Sequence, residues 1–66
     1  MAKIIEIERY SLSDGGSIRI TKLGRYYNFD RLYNSLSTPP DCINRISKAE
    51  AYRIYTEALK ADVLEL

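Results

Sequence analysis

The sequence predicts an α+β fold: a small three-stranded antiparallel sheet, then a short helix, then a longer C-terminal helix packed on one sheet face. Three observations predict this β-β-β-α-α order. Residues 3–10 and 17–22 alternate apolar and polar with period two, as half-buried strands do. Glycine-bearing turns separate these stretches from each other and from a third, Arg25–Asn28. Ser47-Lys-Ala-Glu50 is a capping box, the Ser47 hydroxyl accepting from a backbone N–H while Glu50 reaches back, with helically spaced apolar residues after it. The 66 residues are expected to form one small domain, residues 1–66.

In the first strand Ile5 and Ile7 share one face, expected to be inward, and Glu6, Glu8 and Tyr10 share the other. Ser11–Gly16 is a turn, with Asp14-Gly-Gly16 supplying positive φ. In the second strand Ile18 and Ile20 face inward, and Arg19 and Thr21 outward. Antiparallel pairing with the isoleucines together puts Glu6 or Glu8 opposite Arg19. Leu23-Gly24 closes the next hairpin, either as the end of a three-residue loop from Lys22 or as a two-residue loop. That choice decides which of Tyr26 and Tyr27 points inward, and the sequence leaves it open.

Phe29–Leu36 reads as a short helix, with Asp30 as N-cap and Phe29, Leu32, Tyr33 and Leu36 at helical spacing. Pro39-Pro40 ends it. Residues 41–46 read as a connector, with Cys42, Ile43 and Ile46 plugging the core. The long helix runs to about Ala61 with Ala51, Tyr52, Tyr55, Ala58 and Leu59 on its apolar stripe. Asp62 falls on that same side, which predicts fraying, and Val63, Leu64 and Leu66 form an apolar tail.

Composition narrows the function. There is no histidine, one cysteine and a net charge of +1. Neither an internal disulfide nor an ordinary zinc site can be built, so no metal or other cofactor is expected. Cys42 has no histidine to activate it, and Asp41 beside it raises its pKa, so a buried, inert thiol is expected. Glu6 and Glu8 sit where they balance Arg19, and Asp14-Gly-Gly16 lacks the lysine and helix of a phosphate loop. No catalytic residues are assigned and no enzyme is expected. The first residues lack a secretory apolar run and no stretch is long enough to span a membrane, so a cytoplasmic location is expected.

Two surfaces remain. Arg19, Lys22, Arg25, Tyr26, Tyr27 and Arg31 crowd into residues 19–31, and basic groups with interleaved aromatics are the ingredients of nucleic-acid contact. The stretch Ser17–Tyr27 and the Lys48-Ala-Glu-Ala51 helix start, less than a quarter of the chain, resemble the N-terminal arm-binding domains of tyrosine recombinases. In that family a sheet lies in a DNA groove, which implies a nucleic-acid contact for this sheet. The charge balance, ten basic against nine acidic residues, argues the other way.

The six tyrosines form the second clue. Tyr52 and Tyr55 belong to the helix stripe, while Tyr10, Tyr33 and one of Tyr26 and Tyr27 are expected outside. Tyrosine with arginine is the composition of interface hot spots. The expected function is a small non-catalytic protein-binding module that covers a functional surface of a larger partner. Phage and mobile-element accessory inhibitors of the anti-CRISPR type are chains of this size and style. Tyr10, Arg19, Arg25, Tyr26, Tyr27 and Tyr33 form the expected contact set. The alternative is a nucleic-acid-binding accessory with Arg19, Lys22, Arg25 and Arg31 toward phosphates. A chain this short has a core near the lower limit for independent folding, so a homodimer is also expected.

Overall fold

A computed structural model describes residues 3–64, and the tail position Leu66 falls outside the described residues. The elements are β1 (Ile4–Ser11), β2 (Ser17–Leu23), β3 (Tyr26–Leu32), β4 (Asp41–Ile46) and α1 (Lys48–Leu64). The α+β class is as expected, but among the described residues the sheet has four strands and there is one helix. All neighbours pair antiparallel in the order β1-β2-β3-β4. Helix α1 packs chiefly across β2 and β3. One sheet face is therefore covered and the other is free of helix.

The core lies under the helix. Ile18, Ile20 and Ala51 are fully buried, and Phe29 and Leu12 nearly so. Tyr10, Ile46, Ile54, Tyr55, Ala58 and Leu59 close around the Leu12–Ile18–Phe29 cluster. Leu12 sits in the β1–β2 loop, where a turn was expected. The loop folds it inward: its N–H donates to the Gly16 carbonyl at 2.8 Å, and Asp14 accepts from the Gly16 N–H at 2.8 Å. Gly16 must lack a side chain there, because a Cβ would sit 2.3 Å from the Leu32 carbonyl oxygen.

Phe29–Leu36 is not a helix. Phe29 pairs with Ile20 and Asp30 with Arg19, so period two governs Tyr26–Leu32. Burying Phe29 against the isoleucines outweighs its helical spacing with Leu32 and Tyr33. Asp30 does not cap a helix; its carboxylate accepts from Arg19 Nε at 3.0 Å across the sheet. Nor is Asp41–Ile46 a connector, since it forms the fourth strand. Its apolar residues are three apart rather than two because a bulge intervenes, with Arg45 at φ +61°. Cys42 and Ile43 are exposed rather than core plugs, and Ile46 alone of the three reaches the core.

The β2–β3 hairpin closes through Gly24-Arg25, one residue later than either expected loop. Gly24 takes φ +63° at the first central position, as a two-residue turn with left-handed entry requires. Tyr26 pairs with Leu23 on the helix-free face, and Tyr27 with Lys22 on the helix side.

β1 departs most from expectation. A bulge between Glu6 and Glu8 leaves Ile7 without a partner and reverses the alternation. Ile4, Glu6 and Arg9 thus lie on the helix-free face; Ile5, Glu8 and Tyr10 lie on the helix side. Arg19 faces Arg9 rather than a glutamate. The like charges are neutralised sideways, Arg19 by Asp30 at 3.0 Å and Arg9 by Glu6 at 3.6 Å. Ile5 and Ile7, expected inward, are 54% and 38% exposed because α1 packs chiefly over β2 and β3 and only lightly over this edge.

Ser47 caps α1 as expected, its hydroxyl accepting from the Glu50 N–H at 3.2 Å, but Glu50 turns to Arg53 instead of reaching back. The helix does not fray at Asp62. That carboxylate is buried and accepts from the Ser13 hydroxyl at 2.7 Å and the Ser13 N–H at 3.1 Å, tying the β1–β2 loop to the last turn.

Candidate functional site

The fold gathers an aromatic-cationic cluster at the end of the sheet where the β2–β3 hairpin meets β4. Tyr26 projects onto the helix-free face. The Arg25 guanidinium lies 5.4 Å from its ring centroid and that of Arg45 lies 5.1 Å away. On the helix side of the same hairpin, the Lys22 ammonium sits 5.7 Å from the Tyr27 ring. Ile4, Leu23 and Tyr26 are cross-strand neighbours on the helix-free face, at 67%, 39% and 36% exposure. They make an apolar row that ends at the two guanidinium groups.

Arg45 holds its position at a cost. A non-glycine residue in the left-handed region is disfavoured by about 1–2 kcal/mol. The bulge holds it there through the Arg45 N–H, which donates to Asn28 Oδ1 at 3.0 Å. Asn28 in turn donates to Thr21 Oγ1 at 3.4 Å. Backbone strain of this kind is concentrated at functional sites.

Charge is distributed unevenly. Each acidic side chain among the described residues already has a hydrogen-bonding or ion-pair partner. Lys22, Arg25 and Arg45 have no acidic partner among the described residues. Three of the six cations without an acidic partner among the described residues therefore lie at this end of the sheet; Lys3, Lys48 and Lys60 are the others.

The expected contact residues divide in three. Arg25, Tyr26 and Tyr27 meet at this end. Arg19 lies on the helix-free face but is committed to Asp30. Tyr10 and Tyr33 lie elsewhere: Tyr10 packs against the core cluster, turned to the helix side by the β1 bulge. Tyr33 donates its hydroxyl to Asp41, with the Arg31 guanidinium 5.0 Å from its ring. The Asp41 bond raises the Tyr33 pKa above its ordinary value, assisted by burial. Of the four residues expected to face phosphates, only Lys22 and Arg25 share this end. Arg31 is on the helix side, 3.5 Å from Asp14. Arg45 was missed, and the sequence carried one trace of it: Ile43 and Ile46 three apart in a strand imply a bulge between them.

Two other features have chemical character. Cys42 is exposed, yet hydrogen bonding to Asp30, its cross-strand neighbour, pushes the thiol pKa up, with burial and the charge of Asp30 adding to it. Asp41, the neighbour named from sequence, contributes least. A hollow of about 570 Å³ opens between β4 and α1, with Arg31, Asp41 and Glu57 among its lining residues. Among the described residues no group of histidine, cysteine and carboxylate side chains gathers that could hold a metal ion. No described helix is long and apolar enough to cross a membrane.

No protein-family model matches the chain, and searches of curated proteins and of solved structures found no match. The resemblance to recombinase arm-binding domains gains no support from them, and the fold adds a fourth strand to that outline.

Proposed function

We propose that this protein is a non-catalytic binding module that covers an acidic, partly apolar surface of a larger protein. One observation carries the reading: the Arg25 and Arg45 guanidinium groups both lie over the Tyr26 ring, and neither has a carboxylate partner among the described residues. Stacked guanidinium groups keep their N–H donors free for a partner's carboxylates. The Ile4–Leu23 row beside them supplies apolar area, and the combination matches the aromatic and arginine anchors of interface hot spots. A role as an accessory inhibitor of a phage or mobile element, working in the cytoplasm where a lone thiol stays reduced, fits this mode of action.

Affinity capture with the native chain, run beside an Arg25→Ala/Arg45→Ala variant, tests the proposal. A stoichiometric protein partner is expected with the native chain and is lost with the variant. Capture of nucleic acid instead, weakening by about 0.9 log units per phosphate contact for each tenfold rise in salt, would replace this reading with the nucleic-acid one.

A further inference from the structure

The free edge of β1 is a second surface, on the strand farthest from β4. Its backbone groups directed away from β2 have no ladder partner among the described residues, and all its residues but Tyr10 are exposed. An exposed edge bearing three isoleucines is a template for another strand. The described core has only five buried apolar residues, and the chain has no second cysteine for a disulfide. A partner strand is the reinforcement that remains.

We propose that the occupant is a second copy of this chain, paired antiparallel through β1 so that two four-stranded sheets join into one. Within Ile4–Ser11 opposite charges face each other in one register. Facing side chains must lie on the same face of the sheet, and the Ile7 bulge puts Glu6 and Arg9 on the helix-free face and Ile5, Glu8 and Tyr10 on the helix side. A two-fold axis at Glu8 sets Glu6 opposite Arg9 of the second copy and Ile5 opposite Tyr10, each twice. Moving the axis to Glu6 or to Arg9 sets like charges opposite at the centre with no Glu–Arg pair in return. In the chosen register the one like-charge contact is Glu8 against Glu8. Each of these accepts a hydrogen bond from its own Tyr52 hydroxyl at 3.4 Å.

Sedimentation equilibrium over a concentration series tests the pairing. The native chain is expected as a dimer. Glu6→Arg and Arg9→Glu should each weaken it at least about tenfold, since each sets like charges opposite twice. An equal mixture of these two variants should recover the dimer, because every opposing pair is again Glu–Arg. Glu8→Gln should tighten it severalfold by removing the central repulsion. Both charge reversals are at exposed positions, and circular dichroism checks that each variant is folded. A native chain that stays monomeric overturns the proposal. So does a dimer that neither reversal weakens, or a mixture that fails to pair. The pairing does not use Arg25, Tyr26 or Arg45, so its failure leaves the proposed function standing.

Discussion

Isoleucine has two opposite fates in this sheet. Ile18 and Ile20 on β2 have no exposed surface, whereas Ile4, Ile5 and Ile7 on β1 are 67%, 54% and 38% exposed. The residue type and the strand pairing are shared; the difference is the helix, which packs chiefly across β2 and β3 and only lightly on β1, while Ile4 lies on the helix-free face. Stability is therefore concentrated in the middle of the sheet. The β1 edge and the hairpin end are left with apolar and cationic groups that the chain does not itself use.

The largest test of that contrast is a matched pair of substitutions. Ile20→Ala should lose about 2–5 kcal/mol, most or all of the stability of so small a domain, because it opens a cavity in a fully buried site. Ile5→Ala should change stability by no more than about 0.5 kcal/mol. Urea denaturation of both variants measures the difference, and similar losses would mean that β1 is covered in the folded chain.

Asp62 sharpens the comparison at the far end of the helix. Asp62→Ala leaves the Ser13 hydroxyl and N–H without their acceptor and should cost about 1–3 kcal/mol. Asp62→Asn keeps an oxygen acceptor and should lose less, again by urea denaturation.

Much of the middle of the sheet was legible in the sequence, and the edges were not. Ile18, Ile20 and the Ser47 cap were readable because alternation and capping are local patterns. Phe29 and Asp30 were misread as helical because their spacing fits two periods, and only burial against Ile20 and pairing with Arg19 decides between them. The bulges at Ile7 and Arg45 each shift a strand by one residue, which turns the residues beyond the bulge to the opposite face. They moved Tyr10 to the core side and brought Arg45 to Tyr26. The unpaired cations at the hairpin end were half visible: Arg25 and Tyr26 by composition, Arg45 only through the fold.

A smaller effect separates stability from recognition at one residue. Arg45→Gly relieves the left-handed strain and should raise stability by about 0.5–1 kcal/mol while weakening partner capture. Thermal melting and capture, measured together, should move in opposite directions.

The smallest effect is alkaline. The Tyr33 hydroxyl is raised above the ordinary tyrosine value by its bond to Asp41, Tyr52 by burial and by Glu8, and Tyr55 by burial foremost. A raised folded pKa means that the folded chain holds these protons more tightly than the unfolded one. The associated stability is complete below the unfolded value near 10 and is lost as pH rises through the folded values. Urea midpoints should therefore fall above about pH 10, and Asp41→Asn should reduce that fall.

The division between a stabilising centre and a recognising end is tested most directly by capture with the Arg25→Ala/Arg45→Ala variant, paired with its melting curve. The variant should melt no lower than the native chain and retain no stoichiometric protein partner. A variant that melts normally and still captures the same partner would contradict the assignment of recognition to this end of the sheet.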